Sequence, residues 1–233
     1  MPDQKMANKH KSRMIVGLAI VFAVIIVLGG IGWRLITPAS TASTTTSFAL
    51  ASSLLSGSPQ TLGSPNASVT IVEFGDYQCP TCGAWYHSQK ALLVQNLVDT
   101  GKAKLVWRDF DYYGPDSVSA SQAAYAAGEQ GKFWQFHDLL FQSQQTPNNG
   151  WASRQNMETF AQQLGLNMTE FAQSFNSGKY DSLINANHSL GVQAGVTETP
   201  TFFLIGPNGK IVTIAGGQPE SVFEQAVTSL TSG

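Results

Sequence analysis

The sequence predicts an α/β fold in which one sheet is interrupted by a helical insertion, with a single transmembrane helix ahead of it. Three observations point to the α/β part. The run Val69-Thr70-Ile71-Val72-Glu73-Phe74 is β-branched and almost wholly apolar, the pattern of a central strand covered on both faces. Two further apolar runs, Thr201 to Ile205 and Lys210 to Ala215, flank Gly206-Pro207-Asn208-Gly209, which reads as a hairpin turn. Between these strand regions, helical patterns occupy most of residues 119–194, punctuated by Gly131, Pro147, Gly165 and Gly178.

At the N-terminus, residues 1–13 form a basic tail with Lys5, Lys9, Lys11 and Arg13. The stretch from Met14 to Gly32 then holds no charge and is long enough to span a bilayer, giving a predicted anchor at 14–34. Only Arg34 follows before Lys90, so the charge flank keeps the tail in the cytoplasm and puts the remainder on the extracytoplasmic side of the cell membrane. A cleaved signal peptide is the alternative, because Ala39, Ser40 and Ala42 follow, although its apolar core is usually only ~7–15 residues. Residues 35–65 are dominated by Ser, Thr, Ala and Gly and read as a flexible linker. Residues 66–233 then make one domain with a sizeable core and a helical insertion at about 112–194. The net charge of -2, with no basic block beyond the N-terminus, argues against nucleic acid as a partner.

Within the domain, Gly75 and Asp76 end the first strand, and Pro80 suits the first turn of a helix, where its missing N–H costs nothing. Leu93 and Leu97 fall on one face of that helix before Gly101 closes it. A second strand at Lys104 to Phe110 and a last helix from Pro219 to about Leu230 complete the pattern.

The chain has 2 cysteines, Cys79 and Cys82, at the junction of the first strand and the first helix of the domain. Such a pair can be a structural staple, half of a metal site or a redox centre. A staple gains little here, because so short a loop removes little entropy from the unfolded chain. For redox chemistry the position is apt: unpaired N–H groups and partial positive charge at a helix N-terminus stabilise a thiolate. Thiols so placed can have pKa values of about 3.5–7.5, against about 8.5 for a free cysteine.

Three stretches, "VTIVEFGDYQCPTC", "GKFWQFHDLLF" and "GVTETPTFFLIGPNG", set in the order strand, helix, strand, helices, hairpin, helix, resemble the DsbA-like branch of the thiol-disulfide oxidoreductases. That branch has a thioredoxin fold with a helical insertion, and the resemblance covers essentially all of 66–233. It implies that Cys79 is the nucleophile that forms a mixed disulfide with substrate and that Cys82 resolves it. It implies that Glu73 moves protons to and from Cys82, and that a cis-proline loop at Thr199 and Pro200 faces Cys79 and pairs with an extended substrate segment. No metal or organic cofactor is implied. Substrates would be cysteine-containing exported proteins that receive the Cys79–Cys82 disulfide, and a DsbB-like or VKOR-like membrane partner would reoxidise the pair. The same fold run as a reductase, or a module in which thiolates bind metal, are the alternatives. One departure matters: strong oxidants of this family carry His between the cysteines, where this chain has Pro80-Thr81.

Other residues have plainer readings beside the functional ones. Glu73 could be a solvated edge position, Asp76 a turn residue, and Pro200 a proline that introduces a strand. His87, His137 and His188 read as ordinary helix residues and His10 as part of the tail. Trp85, Phe133, Trp134 and Phe136 read as core packing. The sequons at Asn66, Asn167 and Asn187 are glycosylation sites or chance.

Overall fold

A computed structural model describes residues 41–57 and 59–232. The predicted tail and anchor, 1–13 and 14–34, lie outside the described residues; no helix among those described is long and apolar enough to cross a membrane.

The sheet has five strands: β1 (Gln60–Leu62), β2 (Val69–Gly75), β3 (Ala103–Asp109), β4 (Thr201–Ile205) and β5 (Ile211–Ala215), in the order β1-β3-β2-β4-β5. β2 pairs with β3 in parallel and with β4 antiparallel, so Glu73 stands between Trp107 and Phe202. Every residue of β2 is buried, as its continuous apolar run requires. Side chains alternate between its faces. Val69 and Ile71 pack with Leu93, Leu97 and Phe223, whereas Val72 and Phe74 pack with Leu54, Val106 and Phe203.

Among the described residues the helices are α1 (Thr41–Leu55), α2 (80–98), α3 (Pro115–Gly128), α4 (Phe133–Gln142), α5 (Arg154–Gln163), α6 (Met168–Phe175), α7 (Asp181–Ala194) and α8 (Glu220–Thr231). Helix α2 is not uniformly wound: Tyr86–Lys90 and Val94–Val98 are π-helical turns. Helices α3 to α7 form the insertion. Its centre is α3, where Ala120, Ala123, Ala124 and Ala127 are buried and their small side chains let neighbouring helices approach. The core of the insertion, with Phe136, Phe141 and Phe171, is continuous with Tyr77, Cys82 and Trp107.

Residues 35–40 of the linker expected at 35–65 also lie outside the described residues, and the structure corrects the remainder. Residues 41–55 are helical, and 60–62 form an edge strand antiparallel to β3. The reason is tertiary burial. Ala51 and Leu54 are spaced i,i+3 and sit in the Val72–Phe74 face of the core, which stabilises as helix a Ser/Thr/Ala run whose composition alone suggests a tether. The Arg108 guanidinium adds hydrogen bonds to the Leu54 and Ser56 carbonyls.

Candidate active site

The site begins where β2 ends. Asp76 is fully buried, and its carboxylate accepts hydrogen bonds from the backbone N–H groups of Gln78 at 2.7 Å, Tyr112 at 2.6 Å and Tyr113 at 3.0 Å. It is the organiser of the turn, tying it to the chain after β3. Gln144, just beyond α4, donates from Nε2 to the Tyr77 and Cys79 carbonyls at 2.7 and 3.0 Å. The loop leading to Cys79 is therefore held from both the sheet and the insertion.

Cys79 is the N-cap of α2, with extended backbone (φ -69°, ψ 119°), and Pro80 opens the helix. The Cys82 N–H points back to the Cys79 Sγ at 3.4 Å, and the Cys79 thiol donates to the Thr199 carbonyl at 3.3 Å. The Thr199–Pro200 peptide is cis, and Pro200 is buried. Cys79, Cys82, Thr199 and Pro200 are thus brought together from opposite ends of the domain.

The two thiols differ in kind. Cys79 is pulled down from 9.0 to about 6, first by a hydrogen bond from the Cys82 side chain, then, against the effect of burial, by the Thr199 side chain and the backbone amides of Cys82 and Thr81. Cys82 has no exposure, and burial pushes it well above 9.0, with its hydrogen bond to Cys79 adding to the rise. Glu73 is also buried, and desolvation pushes it up to about 8, opposed by the Lys90 charge and reinforced by Cys79. It is no solvated edge position. A cleft of about 280 Å³ opens beside Cys79, lined by Thr81, Phe110, Tyr112, Tyr113, Thr197, Glu198 and Thr199.

A family model described as Thioredoxin matches residues 56–218. The chain belongs to the thioredoxin family. The chain is 34% identical over 145 residues to the "Probable disulfide bond formation protein D" of Bacillus cereus, across 60% of this chain and 64% of that one, so it spans less than two thirds of that relative's length. Among solved structures, a thioredoxin-like oxidoreductase from Silicibacter pomeroyi is 27% identical with a TM-score of 0.65, covering 78% of this chain and 98% of that one. A structure of alpha-DsbA1 from Wolbachia pipientis has a TM-score of 0.68 at 21% identity, covering 77% of this chain and 94% of that one. That likeness is one of fold: a thioredoxin sheet with a helical insertion.

In this site, sequence reasoning misses what the insertion contributes. His137, expected to be an ordinary helix residue, is 1% exposed, and its Nδ1 pairs with the Tyr77 hydroxyl at 3.2 Å. Tyr77 in turn stacks on Trp107 with ring centroids 4.8 Å apart. Burial, and then the Lys90 charge, hold His137 well below 6.5, so it is neutral. Its neighbour Asp138 pairs with Lys90 of α2. Both residues lie in the "GKFWQFHDLLF" stretch, which marks the insertion in the sequence but does not reveal that it packs beneath the thiols. Trp85, Phe133 and Phe136 are buried core residues. Among the described residues, no group of three or more His, Cys, Asp or Glu side chains is arranged to hold a metal ion.

Proposed function

We propose that the chain is an extracytoplasmic, membrane-tethered thiol-disulfide oxidoreductase that donates its Cys79–Cys82 disulfide to cysteine pairs of exported proteins. The observation that carries this reading is the asymmetry of the two thiols: an acidic Cys79 at a helix N-terminus facing the Thr199 carbonyl, above a fully buried Cys82. The relatives named for disulfide bond formation support it.

In the donor direction, a substrate thiolate attacks the Cys79 Sγ, the S–S bond to Cys82 breaks, and Cys82 leaves as a thiolate with the electron pair. That thiolate, unfavourable in a dry site, takes the proton from the Glu73 carboxyl, which Glu73 holds at neutral pH because burial raises its pKa. A second substrate thiolate then attacks the substrate sulfur of the mixed disulfide and expels Cys79, a good leaving group because its thiolate is stabilised. Glu73 recovers a proton from solvent. The substrate loses two electrons and two protons, and the protein gains the two electrons. A DsbB-like or VKOR-like membrane partner would take these electrons onward, and the charge-free stretch Met14–Gly32 supports a tether that keeps both in one membrane.

Direction is tested by equilibrating the protein with glutathione buffers and by unfolding its reduced and oxidised forms in denaturant. The donor reading expects a potential above about -270 mV, thioredoxin's level, and a more stable reduced form. A potential at or below that level with a more stable oxidised form would instead establish a reductase. Topology is tested by alkylating Cys79 in intact reduced cells; labelling only after lysis would overturn the extracytoplasmic assignment.

A further inference from the structure

Lys90 is 6% exposed, although a lysine on the surface of α2 would keep its ammonium in water. It ends the first π-helical turn of α2, and such turns recur at functional sites. Its Nζ bonds to the Asp138 carboxylate of α4 and lies 5.0 Å from the Tyr86 ring centroid and 5.6 Å from that of Trp134. Asp138 keeps 38% of its side chain exposed, so the pair has one dry and one wet member. Burying an ammonium is costly even when it is paired, and nothing in the fold of α2 demands a lysine there.

A second buried ionisable group lies in the same layer. Alternation along β2 puts Glu73 on the face of Val69 and Ile71, which packs against α2. Its neighbours in register, Trp107 and Phe202, bring no charge. The ionisable groups that act on it come from α2 and the loop before it: Cys79, Cys82, Lys90 and Tyr77. Around Lys90 stand Asp138, Tyr86 and the neutral His137. Lys90 is therefore the one cation among these groups.

We propose that Lys90 is a positioning residue for the exchange reaction: pinned by Asp138 and by two ring faces, its ammonium stabilises the carboxylate that forms each time Glu73 gives its proton to the Cys82 thiolate. The transfer moves one proton from carboxyl to sulfur and one negative charge from Cys82 to Glu73, while the Lys90 charge, which lowers the cost of that carboxylate, stays fixed. The inference rests on the thiol-exchange reading above, and it assigns a partner in the reaction to the inserted helices through Asp138.

The test uses the full-length protein carrying glutathione as a mixed disulfide on Cys79, and follows glutathione release by Cys82 across pH. The midpoint that vanishes in Glu73→Gln reports the Glu73 carboxyl. In Lys90→Met this midpoint should rise by about one pH unit or more, since a nearby opposite charge is lost. Lys90→Arg should restore it. Asp138→Asn should move it the other way, downward, because a negative charge is removed and Lys90 is left uncompensated. Opposite shifts are a signature that a packing role cannot produce. Unmoved midpoints, or shifts in the same direction for Lys90→Met and Asp138→Asn, would overturn the proposal while leaving the thiol-exchange reading intact; failure of Cys79 to take up glutathione at all would sink both. If Lys90→Met does not fold, Asp138→Asn decides alone, with a downward shift in favour and none or an upward one against.

Discussion

The Cys79 thiol donates a hydrogen bond to the Thr199 carbonyl at 3.3 Å, joining residues 120 apart in sequence. The sheet makes this possible. β2 delivers Cys79 at its C-terminal end, β4 begins at Thr201, and the antiparallel register pairs Phe74 with Thr201, so the two loops emerge at the same edge. An extended substrate segment pairing with the Thr199 backbone would lie across Cys79, with its own sulfur beside the Cys79 Sγ.

That geometry predicts different fates for the two cysteine variants. Cys79→Ser should abolish turnover, because Cys82 has no exposure to an incoming sulfur. Cys82→Ser should accumulate substrates as mixed disulfides on Cys79, since the resolving thiol is gone. Non-reducing electrophoresis of extracts from cells expressing each variant separates the outcomes, and adducts on the Cys79→Ser protein instead would reverse the assignment.

Gly83 and Gln144 should behave as one unit. A Cβ on Gly83 would sit 1.9 Å from the Gln144 Oε1, the side chain whose Nε2 holds the Tyr77 and Cys79 carbonyls. Gly83→Ala must therefore displace Gln144 and release the reactive loop. We expect both Gly83→Ala and Gln144→Ala to slow thiol exchange roughly ten- to a hundredfold, the scale of an ångström-sized misplacement. The double variant should be little worse than either single one, as a double-mutant cycle on exchange rates would show. Additive losses would mean that the two residues act separately.

A third expectation concerns the polar network behind β3. Asn187 is 2% exposed; it accepts from Arg108 Nη1 at 2.8 Å and donates to Asp109 Oδ2 and the Tyr125 hydroxyl at 2.9 and 3.0 Å. Asn187→Ala should strip partners from a buried guanidinium and a buried carboxylate, lowering stability by about 2–4 kcal/mol. Denaturant midpoints measure it, and no change in midpoint would show that the network rearranges. The same burial leaves the Asn187 sequon inaccessible in the folded protein, whereas Asn66 and Asn167 are exposed.

Part of this architecture is legible in the sequence. The β-branched run of β2, the hairpin glycines and the cysteine pair after Asp76 are local signals, and each specifies its element directly. Residues 41–55 are not legible as helix, because their order comes from Leu54 and Ala51 reaching a core formed by distant strands. Lys90 leaves a trace that a periodicity argument can use: it stands three residues before Leu93 and seven before Leu97, on the buried stripe of α2. Its partner Asp138 lies 48 residues away, and no local pattern joins them. His137 escapes notice for a similar reason, since the Tyr77 hydroxyl that it meets belongs to another part of the chain.

The final prediction follows from the opposed shifts of Cys79 and Glu73. Cys79 is lowered from 9.0 to about 6, so its contribution to the stability of the reduced protein is fully present above 9 and is lost as pH falls through 6. Glu73 is raised from 4.5 to about 8, so its contribution is fully present below 4.5 and is lost as pH rises through 8. Between about pH 6 and 8 the two act with opposite sign, each changing stability by about 1.4 kcal/mol per pH unit, and they largely cancel. Removing one exposes the other. Relative to the wild type under reducing conditions, Glu73→Gln should gain about 2–3 kcal/mol on going from about pH 6 to about pH 8, while Cys79→Ser should lose a similar amount. Other titrating groups, His137 included, are common to all three proteins and drop out of the differences. Glu73→Gln should also slow release of glutathione from Cys79, because Cys82 loses its proton acceptor. Urea midpoints across that pH range check the stability differences, and a pH-independent difference for Glu73→Gln would show that the Glu73 carboxyl is not held protonated in the folded protein.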